Sequence, residues 1–394
     1  MALLGTVALA LLLVLLWLEH GRALELPQPT GPFPVGRVGM SWVDASRVDP
    51  FASSPDQRRE LVVWLWYPAQ ADPKATYAAY LPGPWAAALA AHAGVLLTTF
   101  LNRDPTQVHA HGLEAAGLAA DQPTYPVLIL RSGIGALALD YTTLAEDLAS
   151  HGYIVVGADA PYSTAVVVMP DGRTIHKTTA GNPGDAPLSA SERDRLLAAL
   201  IEVWSADTAF LVDQLAHLDA ADPAGRFVGR LDLDRLGIVG HSFGGATAAQ
   251  FCHDDARCKA GIDIDGALYG SVVQDGLAQP FLFLLSDHGD AWDAPDCRIS
   301  ADIRSVARRI PGDRLIVTLR GAHHFSFSDQ ALVKSPLLLR TLRALGIVGS
   351  LESEAGLQYT RRYVREFFDV HLRAAAREQF YREPLMSAAR FETK

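Results

Sequence analysis

The serine in the run Gly240-His241-Ser242-Phe243-Gly244-Gly245 has the setting of a nucleophile. An aliphatic stretch, Leu236 to Val239, leads straight into it, and the small-residue stretch Ala246 to Gln250 follows. A strand that feeds a helix through so tight a turn needs glycines on both sides and pushes the central side chain outward, the geometry of a nucleophile elbow. In a chain with 32 glycines the G-x-S-x-G pattern alone is a weak signal, and a plain turn that happens to hold a serine is the alternative. The strand before it and the helix after it give it weight. A serine hydroxyl is a poor nucleophile at neutral pH, so the pattern also demands a histidine base and a carboxylate to fix the tautomer of that base.

In this architecture the acid and the histidine follow the serine in that order. The stretch "LRGAHHFSFSD" closes the last expected strand in a loop and offers His323 and His324 as the base. His253 lies too near the elbow helix, His288 sits on the loop of the preceding strand, and His371 falls on an amphipathic helix. Asp263 and Asp265 in "GIDIDG" are candidate acids, and strand alternation puts them on one side. Only Asp265 stands at the carboxyl end, where active-site groups of parallel sheets gather. Asp287, one strand later, is the competing acid. An oxyanion needs two backbone donors: the amide of Phe243, after the serine, and one from the Gly-rich loop "LRSGIGALALDY", where Ile134 lies between Gly133 and Gly135.

The elements that would hold these groups alternate along the chain. "VGRVGMSWVD" and "RELVVWLWYPA" read as two early strands that add an antiparallel edge. From about residue 120 the order is strand "YPVLILRSG", helix "YTTLAEDLASHG", strand "YIVVGADAP", then a long helix opened by the capping pair Ser189 and Glu192. Leu197, Leu200, Ile201, Trp204, Leu211 and Leu215 share one face of that helix, interrupted by Thr208. The elbow strand and helix, three further strands ("KAGIDID", "PFLFLLSD", "DRLIVTLRG") and closing helices complete the pattern. Such alternation specifies an α/β fold with an open, mostly parallel sheet and helices on both faces. A small-residue apolar helix near residues 80–120 is either a cap over the site or core filler.

Composition agrees with one large globular domain: 394 residues, 49% apolar and 20% charged. The net charge of -10, without a long run of one sign, argues against nucleic acid as a partner. Residues 1–23 carry an uncharged apolar run, Ala2 to Leu18, and stand apart from the catalytic domain expected over 24–394. About 17 helical residues rise roughly 25 Å against a ~30 Å hydrocarbon core, so both a cleaved signal peptide and a membrane anchor fit the length. Either places the domain outside the cytoplasm, secreted or periplasmic, and the anchor would associate it with a membrane surface. Cys252 and Cys258, six apart, are spaced to bridge or to remain buried thiols. His109 and His111 form an H-x-H pair without a carboxylate or cysteine beside them, so no metal is expected, and the chemistry calls for no cofactor.

On these residues the chain resembles the secreted, calcium-independent platelet-activating-factor acetylhydrolases of the α/β-hydrolase fold. The elements are "WYPA", "GIGA" followed by "DLASHGYIV", "GHSFGG", "GIDIDG" and "RGAHHFSFSD", from about Val35 to the C-terminal helices. The resemblance implies Ser242 as nucleophile, Asp265 as acid and His324 as base, the last because the histidine of the family stands three before a Phe and five before an Asp, here Phe327 and Asp329. It implies Phe243 and Ile134 as the oxyanion amides, and a phospholipid or similar lipid ester with a short acyl group as substrate. Two positions depart from the family: Ser132 stands where a histidine is usual, and "GADAPYS" replaces a charged segment. A general carboxylesterase, lipase or polyester hydrolase acting on another small-molecule ester is the alternative enzyme, and a catalytically silent binding protein of the same fold is the alternative of another class.

Overall fold

The early and late parts of the chain meet in one ten-stranded sheet. The computed structural model describes residues 2–94, 100–184, 186–376, 380 and 387–392, except for the side chains of 2–5 and 8. Strands β1 (Val35–Val48) and β2 (Arg58–Pro68) pair antiparallel, from Val35 opposite Pro68 to Val48 opposite Arg58. A two-residue strand, β3 (Leu113–Glu114), lies along the outer side of β1. The centre is parallel: β4 (Tyr125–Arg131), β5 (Ile154–Asp159), β6 (Leu231–His241), β7 (Ala260–Ile264), β8 (Phe281–Leu285) and β9 (Arg314–Leu319). A short antiparallel strand absent from the sequence expectation, β10 (Ala389–Glu392), closes the far edge on β9. The spatial order is β10-β9-β8-β7-β6-β4-β5-β2-β1-β3. Strands β4, β5, β7 and β8 are buried at every residue, which is why they read as unbroken apolar runs.

Helices cover both faces. The first, α1 (Ala2–His20), leaves Val7, Leu9, Leu11, Trp17 and Leu18 exposed. Its last turn is tied to the body: Ser335 Oγ donates to Glu19 Oε2 at 2.6 Å, and the His20 carbonyl accepts from the Asp104 amide at 2.9 Å. Among the described residues no helix is long and apolar enough to cross a membrane. Helix α2 (Gly83–Ala93) is the small-residue helix of the 80–120 segment, of which 95–99 lie outside the described residues. It buries Trp85 edge-on against Trp64, with ring centroids 5.7 Å apart.

Helix α3 (Thr142–Ser150) follows the Gly-rich loop. Helix α4 (Ala190–Ala221) starts at the expected capping box: the Glu192 amide donates to Ser189 Oγ, and the Ser189 amide donates to Glu192 Oε2 at 3.0 Å. Leu200, Ile201, Trp204, Leu211 and Leu215 are buried; full burial of each such side chain contributes about 2 kcal/mol. Thr208 is buried among them without loss, because its hydroxyl donates to the Trp204 carbonyl at 2.8 Å. The elbow helix α5 (Phe243–Asp254) ends in a disulfide from Cys252 to Cys258, just ahead of β7. Cys297 is a free thiol. Helices α6 (Arg298–Arg309) and α7 (Ser353–Arg373) complete the layers.

Candidate active site

The turn between β6 and α5 has the backbone of an elbow. Ser242 has φ +57° and ψ -124°, a region that residues other than glycine avoid. Its amide donates to the Ile264 carbonyl at 2.8 Å, and its carbonyl accepts from the Gly245 amide at 2.9 Å, which holds the strained residue in place. A Cβ on Gly240 would overlap the Gly244 carbonyl, and one on Gly244 would overlap the Arg131 carbonyl. Strand and helix come that close only because neither residue has a side chain.

Asp265 follows the end of β7 with φ +54°, its amide donating to the Leu284 carbonyl at 2.9 Å. Its carboxylate is fully buried and takes four donors. The Ser286 amide (2.8 Å) and His288 Nε2 (2.9 Å) reach Oδ1, and Ser286 Oγ (2.9 Å) and His324 Nδ1 (2.7 Å) reach Oδ2. Burial alone would raise the pKa of this group, but the His288 and His324 hydrogen bonds and charges outweigh it and hold the carboxyl well below the usual carboxylate range. With Nδ1–H spent on Asp265, the free lone pair of the His324 ring is on Nε2.

Ser242 and His324 line one pocket of about 280 Å³, with Gly133, Ile134, Tyr141 and Leu89. Among the described residues no hydrogen bond joins Ser242 Oγ to His324. Such contacts are commonly long without substrate and tighten when it binds. Phe243 opens α5, so its amide has no intrahelical acceptor. Ile134 lies between Gly133, whose amide donates to Tyr141 Oη at 3.1 Å, and Gly135 at φ +84°. Among the described residues neither the Ile134 nor the Phe243 amide is taken by a backbone acceptor.

The competing candidates are engaged elsewhere. Asp287 accepts from the Gly321 amide on Oδ2 (2.8 Å) and from the Gly289 amide on Oδ1 (3.2 Å). His323 Nδ1 accepts from the Phe325 amide at 3.3 Å and caps a short turn. Asp263 is buried behind the elbow, where its Oδ1 accepts from the Gly266 amide at 2.9 Å. His111 Nε2 donates to the Leu26 carbonyl, and among the described residues no group of three His, Cys, Asp or Glu is arranged to hold a metal ion.

Three site residues escape the sequence reading. The loop position that sets His288 aside for sequence reasoning in fact brings its ring onto Asp265, because the β7 and β8 loops fold over each other. Tyr141 and His241, 100 residues apart, join the Gly-rich loop to the end of β6. His241 Nε2 donates to the His324 carbonyl at 2.9 Å, so its Nδ1 accepts from Tyr141 Oη at 2.7 Å. Burial, with the nearby His324, pushes the His241 pKa down to about 3 and keeps the ring neutral. The only hint in the sequence was that the x of G-x-S is a histidine.

A family model described as platelet-activating factor acetylhydrolase, isoform II, matches residues 20–168 and 190–383. A protein of Arthroderma benhamiae named probable 1-alkyl-2-acetylglycerophosphocholine esterase is 26% identical over 93% of this chain and 93% of its own length. The platelet-activating factor acetylhydrolase of Bos taurus is 27% identical over 63% of this chain, which spans 57% of that relative. A solved structure, the ferulic acid esterase of Streptomyces cinnamoneus, superposes with a TM-score of 0.75 at 26% identity, covering 94% of this chain and 100% of the other. The sheet order and these matches together make this an ester hydrolase of the α/β-hydrolase fold.

Proposed function

Because the chain belongs to the platelet-activating factor acetylhydrolase family, isoform II, we propose that it cleaves a short acyl ester from a phospholipid or similar lipid through an acyl-enzyme on Ser242. The observation that carries the reading is the buried Asp265–His324 pair, in which Nδ1–H donates to the carboxylate, so that the lone pair of the neutral ring is on Nε2, in the pocket that Ser242 shares. In this reading Ser242 Oγ attacks the ester carbonyl as His324 Nε2 takes its proton. The tetrahedral oxyanion draws hydrogen bonds from the Phe243 and Ile134 amides, and His324 then returns the proton to the leaving alcohol. Water, activated by the same imidazole, releases the acid. Asp265 stabilises the imidazolium throughout and is not itself protonated.

Two cavities support the substrate class. The pocket at Ser242, about 280 Å³, suits a small acyl group. A second cavity of about 620 Å³ shares Leu89, Asp140 and Gln330 with it and is walled by Leu81, Ala86, Ala90 and Val333, a lining suited to an alkyl chain. Arg103 and Lys334 also line that cavity and would favour a phosphate. An extracytoplasmic site of action belongs to the same proposal and rests on the apolar residues 2–18 and the disulfide. The ferulic acid esterase neighbour favours, as a second reading, a general carboxylesterase taking a bulkier acid.

The test is turnover of p-nitrophenyl esters of rising acyl length, a phosphatidylcholine with a short sn-2 chain, and methyl ferulate, each against Ser242→Ala. Serine-dependent hydrolysis that favours short acyl groups and includes the phospholipid is expected. Turnover confined to methyl ferulate and simple esters would remove the lipid claim, and activity surviving in Ser242→Ala would remove the mechanism.

A further inference from the structure

The carboxylate of Asp265 lies between two imidazoles, whereas the proposed mechanism uses one. His288 Nε2 lies 2.9 Å from Oδ1, on the opposite oxygen from His324. The contact is built. The His288 ring stacks on Trp292, with centroids 5.5 Å apart and planes 18° from parallel. Trp292 is fixed in turn: its Nε1 donates to Glu392 Oε1 at 2.7 Å, and the Arg304 guanidinium lies 5.4 Å above its ring. So β10 and α6, which contribute nothing else to the site, set the plane of the His288 ring. Asp265 is fully buried, but the His288 side chain is 42% exposed, so solvent protons reach it.

We propose that His288 is a positioning residue that acts through Asp265: its Nε2–H fixes the rotation of the carboxylate so that Oδ2 meets His324 Nδ1, and its charge state sets how strongly Asp265 draws a proton onto His324. The inference rests on the serine mechanism above and concerns the same site. Asp265 can accept from His288 in both charge states of the ring, because Nε2 carries its proton in each, with Nδ1 gaining the second. Neutral His288 leaves the full negative charge of Asp265 acting on His324. Cationic His288 offsets that charge and makes His324 a weaker base. The charged groups around His288 favour the cation: Asp265, on the loop after β7, accepts its hydrogen bond and attracts it, and Asp287 on its own loop attracts it too, raising its pKa against the opposing effect of partial burial. Beyond the Trp292 ring, Arg304 pairs with Glu392 at 2.9 Å and with Asp293 at 2.6 Å, two carboxylates to one cation, so this cluster does not oppose a charge on His288. On the far side of the carboxylate stands His324.

The experiment is the pH dependence of kcat/KM for p-nitrophenyl acetate in the full chain, followed at the isosbestic wavelength of the phenol, for wild type, His288→Gln and His288→Phe. Phenylalanine keeps the stack on Trp292 but gives no donor; its plateau should fall about tenfold, the scale of one hydrogen bond to a charged group. Glutamine supplies a neutral donor and should restore most of that plateau. In both variants no cation opposes protonation of His324, so the acid limb should move up by roughly one pH unit, the size of shift one nearby charge produces. Plateaus and acid limbs coinciding with wild type in both variants would overturn the proposal. Equal plateau losses in the two variants with an unmoved acid limb would also overturn it, since packing alone would then explain His288. Ser242→Ala is measured alongside: its loss of turnover shows that the profile reports this site, which keeps failure of the His288 assignment separate from failure of the serine reading.

Discussion

Replacing Asp265 by asparagine tests the proposed acid, because the carboxylate accepts four hydrogen bonds and an amide cannot. With its oxygen left facing the Ser286 amide and His288, the new NH2 points at His324 Nδ1, now 2.7 Å from Oδ2. The imidazole must then accept on Nδ1 and carry its proton on Nε2, toward Ser242, which is the wrong tautomer for a base. With the amide flipped, NH2 faces the Ser286 N–H and His288 Nε2–H, and the buried Ser286 donor left without an acceptor costs about 1–3 kcal/mol. Both routes also remove the charge that stabilises the imidazolium. A loss of roughly 10⁴ in kcat is expected, which at 1.36 kcal/mol per decade is about 5.5 kcal/mol of transition-state stabilisation. Asp287→Asn loses only acceptors for two loop amides and should stay within about threefold, as a substitution away from the reacting groups does. Initial rates on p-nitrophenyl acetate, with circular dichroism to establish that each variant is folded, decide the matter. Folded Asp265→Asn retaining more than a tenth of wild-type kcat, or Asp287→Asn falling below it, would refute the assignment.

Two further predictions concern the frame around the site. His241 is buried with its pKa pushed down to about 3, so the unfolded chain binds a proton there that the fold does not. Stability from this group is complete above pH ~6.5 and is lost as pH falls toward 3, by about 3 kcal/mol between pH 6.5 and 4. His241→Gln removes that dependence, so the wild-type minus variant difference in denaturant midpoint free energy should shrink by this amount on acidification; a constant difference would show that His241 titrates normally. Gly240→Ala puts a Cβ into the Gly244 carbonyl, where only backbone movement makes room, and should destabilise by about 3 kcal/mol or more and abolish turnover. A folded, active Gly240→Ala, seen by thermal unfolding and the same ester assay, would mean the elbow is looser than described.

Much of this was legible in the sequence, for reasons that differ from element to element. Strands β4, β5, β7 and β8 announce themselves because burial on both faces leaves no room for polar alternation. The start of α4 was legible because a capping box is local chemistry between residues three apart. Strand β10 was not: four residues, Ala389–Glu392, carry no pattern of their own and are strand only because β9 has an open edge. Ser242 stood out because steric crowding at an elbow selects glycines next to it in sequence. His324 over His323, and Asp265 over Asp287, rested on family resemblance and strand position, since adjacent or similarly placed residues of one type cannot be ranked by spacing.

The sequence by itself determined the alternation of strands and helices, the elbow and the small set of acids and bases available to it, because these depend on burial periodicity and on contacts within a few residues. Only the tertiary structure decided which of those groups touch. The Tyr141–His241–His324 chain joins the Gly-rich loop, the end of β6 and the loop after β9, and the contact of His288 with Asp265 depends on a ring set by Trp292 against Glu392. Hydrogen bonds reach about 3 Å, and whether two loops distant in sequence come within that reach is fixed by how the strands beneath them are ordered in the sheet.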